Sequence, residues 1–124
     1  MEVLVNVGGV YCIALVVFHL LFWRIFKWPE ELPRLSSLNQ AIMQVLNLSL
    51  TFVFVIFVYL SIFHADELLH TGLGRSILGL ISIFWLLRAT QQVVFFRLKH
   101  WISWAFLVWF IIGALIYGVP LFLA

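Results

Sequence analysis

The chain has 124 residues, 65% of them hydrophobic and only 10% charged, with a mean hydropathy of +1.18. A soluble domain carries about 25% charged residues, and a chain this short has no core large enough to hide so much apolar surface. A net charge of +2 gives no electrostatic reason to expect a nucleic-acid partner, and the lone cysteine, Cys12, excludes an internal disulfide and any CxxC motif.

A membrane span needs about 20 apolar residues, and four runs meet that length. They cover about 3–26, 38–63, 73–96 and 101–123. The first opens on Met1-Glu2 without a basic segment and lacks a small-residue cleavage site, so it reads as a retained helix. The first break, "KWPEELPRLSS", holds two prolines and most of that loop's charge. The second, "HADELLHTGLGR", mixes acids with glycines. The third, "RLKH", is four residues long and predicts a tight antiparallel helical hairpin. The expected fold is all-α: four transmembrane helices in an antiparallel up-down bundle forming one domain over 1–124.

Lys and Arg in short loops set orientation. Arg24, Lys27 and Arg34 flank the first loop, and Arg97 and Lys99 lie in the third. The second has only Arg75, beside Asp66 and Glu67. Loops one and three are therefore expected in the cytoplasm and both termini outside. The expected setting is a bacterial inner membrane or its equivalent. Trp23, Trp28, Trp101 and Trp104 fall where an aromatic belt belongs.

Polar residues inside the spans are the main functional clue. Gln40, Gln44, Asn47 and Thr51 recur at i, i+4, i+7 and i+11 on one face of the second span. Arg88 is followed by Gln91 and Gln92 at i+3 and i+4 in the third. Arg88, Gln44 and Asn47 all sit roughly 10–15 Å from the cytoplasmic ends of their helices, at 1.5 Å per residue. His19, His100 and Ser103 lie toward the same end, which predicts one polar layer shared by four helices. An arginine near mid-span costs about 2.5–3.5 kcal/mol on insertion scales, and such residues usually face partners. No acid lies within the apolar body of any span. Arg88 must therefore meet amides, carbonyls, water, a ligand anion or another subunit, unless it snorkels to the headgroups.

Two histidine patterns bear on cofactors. His19 and His100, on the first and fourth spans, are candidate ligands for a b-type haem. His64, Asp66, Glu67 and His70 in "HADELLH" include Glu67-x-x-His70, a spacing found in di-iron bundles, and make a candidate metal site. The plain alternative is a solvated helix end and loop. No cofactor is required by the sequence. "GLGRS" at Gly72–Ser76 opens the third span, where free amides meet anions, or merely caps the helix.

In layout the chain resembles the MAPEG membrane proteins. "RLSSLNQAI" places Arg34 and Asn39 near that family's Arg-x-x-x-Asn-x-x-Glu pattern, with one extra residue and Ile42 in place of the glutamate. Trp85 and Phe84 stand near the position of its helix-three tyrosines. The resemblance implies a trimer with a cytoplasmic-side glutathione pocket.

Three functional expectations follow. The first is a non-catalytic subunit or assembly partner of a larger membrane complex, in contact with lipid and with other subunits or copies of itself. The second is a MAPEG-like enzyme or binder of an amphipathic anion at Arg88, Gln44, Asn47 and Gln92. The third is a haem- or metal-binding redox carrier or a small transporter.

Overall fold

Apolar runs with their backbone polar groups satisfied internally form helices, and a computed structural model describing residues 1–123 is all-α. The helices are α1 (Glu2–Leu20), α2 (Phe22–Ile25), α3 (Trp28–Glu31), α4 (Ser37–Phe63), α5 (Ala65–His70), α6 (Gly72–Gln91) and α7 (Trp101–Leu123). A 3₁₀ turn at Leu32–Arg34 leads into α4, and a π-helical turn at Gln92–Phe96 extends α6. There is no strand among the described residues.

Glu2–Leu20, Ser37–Phe63, Gly72–Phe96 and Trp101–Leu123 are long and apolar enough to cross a membrane. Only 22–39% of the most apolar stretch of each is buried inside the protein. Phe122 is 87% exposed and Leu73 76%. Such outward apolar faces need hydrocarbon around them, so this is a small membrane protein with four spans.

The chain forms two compact units. One comprises Met1–Gly8 with the chain from Leu60 onward; the other is Gly9–Tyr59.

In the first unit, α6 and α7 form the expected hairpin. Arg75 bonds to the Leu121 carbonyl, Ser82 to that of Ala114, and Gln92 to the Ser103 hydroxyl. The partners descend as the first residue ascends, which is antiparallel packing. Val5, Leu78, Trp85 and Tyr117 are fully enclosed in its core. The short α5 turns into α6 through Thr71. Its hydroxyl donates to the Glu67 carbonyl at 2.8 Å and accepts from the Gly74 N–H at 2.9 Å, a side-chain N-cap. The guanidinium of Arg75 reaches the Leu121 carbonyl at 2.5 Å. A cation there meets the orphan carbonyls and negative dipole at the C-terminus of α7.

In the second unit, Tyr11, Cys12, Leu15, Trp28, Leu32 and Phe54 are buried. The first span is shorter than the expected 3–26. It stops at Leu20, and Leu21 leaves helical geometry with φ −90° and ψ 2°. Neither Pro nor Gly causes the break. Phe22 packs edge-on to Phe18, Phe26 and Trp28 at 5.0, 4.8 and 5.6 Å between ring centres. Lys27 then reverses the chain at φ 53°. Ring packing at 0.5–1.5 kcal/mol per pair offsets the few backbone bonds lost.

Candidate functional site

The polar residues expected to share one layer form two networks, one inside each compact unit.

In the first unit, Arg88 donates from Nη2 to Gln92 Oε1 at 3.5 Å. Gln92 Nε2 donates to Ser103 Oγ at 3.0 Å, and the Ser103 hydroxyl donates to the Arg97 carbonyl. Each group passes its donor onward until a backbone acceptor ends the chain. Gln92 is 3% exposed and Ser103 8%, so these bonds lie away from solvent or lipid. The π turn carries this geometry. The segment ends at Arg97 with φ 56° and ψ 166°, a conformation that costs a side-chain-bearing residue about 1–3 kcal/mol. The same break frees the Arg97 carbonyl to receive Ser103. Gln91 is half-buried and takes no part.

The guanidinium of Arg88 also lies 4.5 Å from the centre of the Phe110 ring and 5.6 Å from that of Phe96. These two rings are the partners sequence reasoning missed. Phe96 lies eight residues on, two helical turns along the same segment, and that spacing was the available signal. A desolvated cation–π contact gives about 2 kcal/mol, comparable to the insertion cost of the arginine. The side chain is thus held within its own unit rather than extended along the helix. Arg88 Nη1 is nevertheless buried with no hydrogen-bond acceptor. An unmet donor of this kind costs about 1–3 kcal/mol, more when charged.

In the second unit, the stripe on α4 is mostly spent on holding helices. Gln40 donates to the Leu35 carbonyl at 2.9 Å and Gln44 to that of Gln40 at 3.2 Å. Gln44 accepts from Trp23 Nε1 at 3.1 Å. Thr51 bonds back to the Asn47 carbonyl at 2.7 Å. Asn47 Nδ2 donates to the His19 carbonyl at 3.0 Å, at the end of α1 where helical amides run out. Its Oδ1 is buried without a partner. Asn47→Leu should lower stability by about 1–2 kcal/mol through loss of the bond to the His19 carbonyl. Thermal unfolding in detergent measures this, and a melting curve matching the unaltered protein would show that the bond holds nothing.

The histidines divide in the same way. His19 sits in the second unit, with Nδ1 2.8 Å from the Leu15 carbonyl and its ring stacked 4.4 Å from Phe22. His100 is exposed in the first unit, its Nδ1 3.5 Å from the Ile102 N–H. On α5 and at His64 just before it, the four candidate metal ligands form two separate pairs. His64 meets Glu67 at 3.2 Å, and His70 meets Asp66 at 2.9 Å. Glu67 thus pairs backward rather than with His70 three residues on. Exposed pairs of this type contribute about 0–1 kcal/mol. Among the described residues no three His, Cys, Asp or Glu side chains converge on a metal position.

Arg34 forms an exposed ion pair with Glu31 at 3.6 Å, the Asn39 N–H bonds to Ser36 Oγ at 3.2 Å, and Ile42 is 43% exposed. Trp85 is fully enclosed, with Phe84 edge-on to it at 5.0 Å. Of the "GLGRS" amides, that of Gly74 is already taken by Thr71. No protein-family model, curated protein or solved structure matches the chain, so the likeness to MAPEG proteins is one of layout.

Proposed function

We propose that this membrane protein is a non-catalytic subunit or assembly partner of a larger membrane complex. The observation that carries the reading is Arg88. Its charge lies in an apolar span, and no acid lies within the apolar body of any of the chain's own spans. Its Nη2 is met at only 3.5 Å, and its Nη1 not at all. Nη1 is buried, so an acceptor from a neighbouring chain supplies what the protein lacks as the Arg88 side chain turns outward on assembly, and the outward apolar faces supply area for packing. The orientation proposed with it follows the basic residues: Arg24, Lys27, Arg34, Arg97 and Lys99 face the cytoplasm of a bacterial inner membrane or its equivalent, with both termini outside.

Arg88→Gln tests this. Gentle extraction of the unaltered protein should yield a stoichiometric larger partner on native gels and by mass spectrometry. The variant should recover about tenfold less of that partner, the ratio expected for losing one charge-assisted contact. Its own helicity should be retained. A solitary protein, indistinguishable from the variant, overturns the proposal. The unmet Nη1 also suits a second reading, a binder of an amphipathic anion. Recovery as a homotrimer with bound thiol or lipid favours that one.

A further inference from the structure

Residues 21–36 connect the end of α1 to the start of α4. Both helices are membrane-spanning, so the connection lies at a membrane surface. There Trp23, Arg24, Lys27, Pro29 and Glu30 line an open recess of about 380 Å³. Its floor is fixed. Trp23 is tied through Nε1 to Gln44 and packs edge-on against Trp28 at 4.9 Å. Its rim is shaped by Lys27, whose left-handed backbone (φ 53°) swings α3 back beside α2. The Lys27 carbonyl accepts the amides of Glu30 and Glu31 at 3.0 and 2.9 Å, which locks that turn.

Two cations and one carboxylate therefore border one recess. Among the described residues none of the three belongs to an ion pair; those that form use Arg34–Glu31, His64–Glu67 and His70–Asp66. The charges are available to a ligand and are not paired with one another. A ligand bearing phosphate alone would satisfy Arg24 and Lys27 but confront Glu30 with a like charge. A quaternary ammonium has no N–H to give Glu30. A phosphate joined by a short linker to a primary ammonium matches all three groups.

We propose that this recess binds the phosphoethanolamine headgroup of a membrane phospholipid. Arg24 and Lys27 hold the phosphate, Glu30 accepts the ammonium, and Trp23 lies against the glycerol. Leu20, Leu21, Ile25 and Phe26 are each 41–53% exposed on the flanking backbone and give acyl chains an apolar surface. This site lies wholly within the second compact unit and stands independently of Arg88.

The test uses the full chain in mild detergent, offered short-chain phosphatidylethanolamine, phosphatidylcholine and phosphatidylglycerol, with binding read by native mass spectrometry. Phosphatidylethanolamine should be retained about tenfold over phosphatidylcholine, and Glu30→Gln should erase that preference. Arg24→Gln with Lys27→Gln should release all three. Equal retention of phosphatidylcholine overturns the ammonium assignment. Stronger retention of phosphatidylglycerol, increased further by Glu30→Gln, overturns it in favour of a purely anionic site. Displacement by free glycerophosphoethanolamine at matched concentration overturns the lipid as the source. Should the double variant fail to fold, the ranking of headgroups and Glu30→Gln decide the matter alone.

Discussion

Gly74→Ala should destabilise the protein by about 3 kcal/mol, at the upper end of what overpacking costs. A Cβ at this position would lie 2.5 Å from Leu68 Cα and closer still to the Glu67 carbonyl oxygen. Both are backbone atoms of α5, so no side-chain rotation relieves the clash. The turn cannot widen easily either, because Thr71 Oγ1 ties the Glu67 carbonyl to the Gly74 amide. Gly72→Ala is the matched control. It lies two residues away, and a Cβ there meets nothing within 4 Å. The control should stay within about 0.5 kcal/mol of the unaltered protein. Thermal unfolding in one detergent compares the pair, and equal melting temperatures would refute the close α5–α6 approach.

Tyr117→Ala should cost about 3–5 kcal/mol, as removal of a large enclosed aromatic does. Tyr117 has no exposed surface, and its hydroxyl lies 2.8 Å from Ser61 Oγ, also fully buried. Tyr117→Phe keeps the ring and should lose only about 1–2 kcal/mol, the worth of the buried hydrogen bond. The ring's space is made by Gly8. A Cβ there would sit 2.7 Å from Tyr117 Cζ. Gly8→Ala should therefore be damaging in the unaltered protein and milder beside Tyr117→Leu, which shortens the side chain. A double-mutant cycle on unfolding free energies measures that coupling. Strict additivity of the two changes would show that Gly8 and Tyr117 do not compete for one volume.

How far the sequence disclosed this arrangement depended on the range of each interaction. Four spans were legible because length and apolarity are local properties. The tight hairpin of α6 and α7 was legible from "RLKH", and the face shared by Gln40, Gln44, Asn47 and Thr51 from their spacing. The acceptors were not. Asn47 reaches the His19 carbonyl 28 positions back, and only because α1 ends there. No breaker residue marks Leu21; aromatic rings on both sides of it decide. The π turn at Gln92–Phe96 is equally silent in sequence, since its rationale lies in Ser103 and the Arg97 carbonyl. Arg75 stood beside Asp66 and Glu67 in the second loop, yet its guanidinium goes to Leu121, 46 positions on. Arg88 was conspicuous by its charge, whereas its contact with Phe110 required two antiparallel helices.

The interruption at Leu21 also fixes a length. At 1.5 Å per residue, the 19 residues of α1 reach about 28 Å, close to the hydrocarbon thickness of a bilayer. Run on without interruption through Ile25, the same helix would reach about 36 Å. α4, with 27 residues, is about 40 Å long and must tilt or project beyond the hydrocarbon. The shorter form matches α1 to the hydrocarbon thickness, and Asn47 bonds to His19 at the end so defined. The aromatic packing that ends α1 at Leu21 therefore sets how much of this helix the bilayer must accommodate.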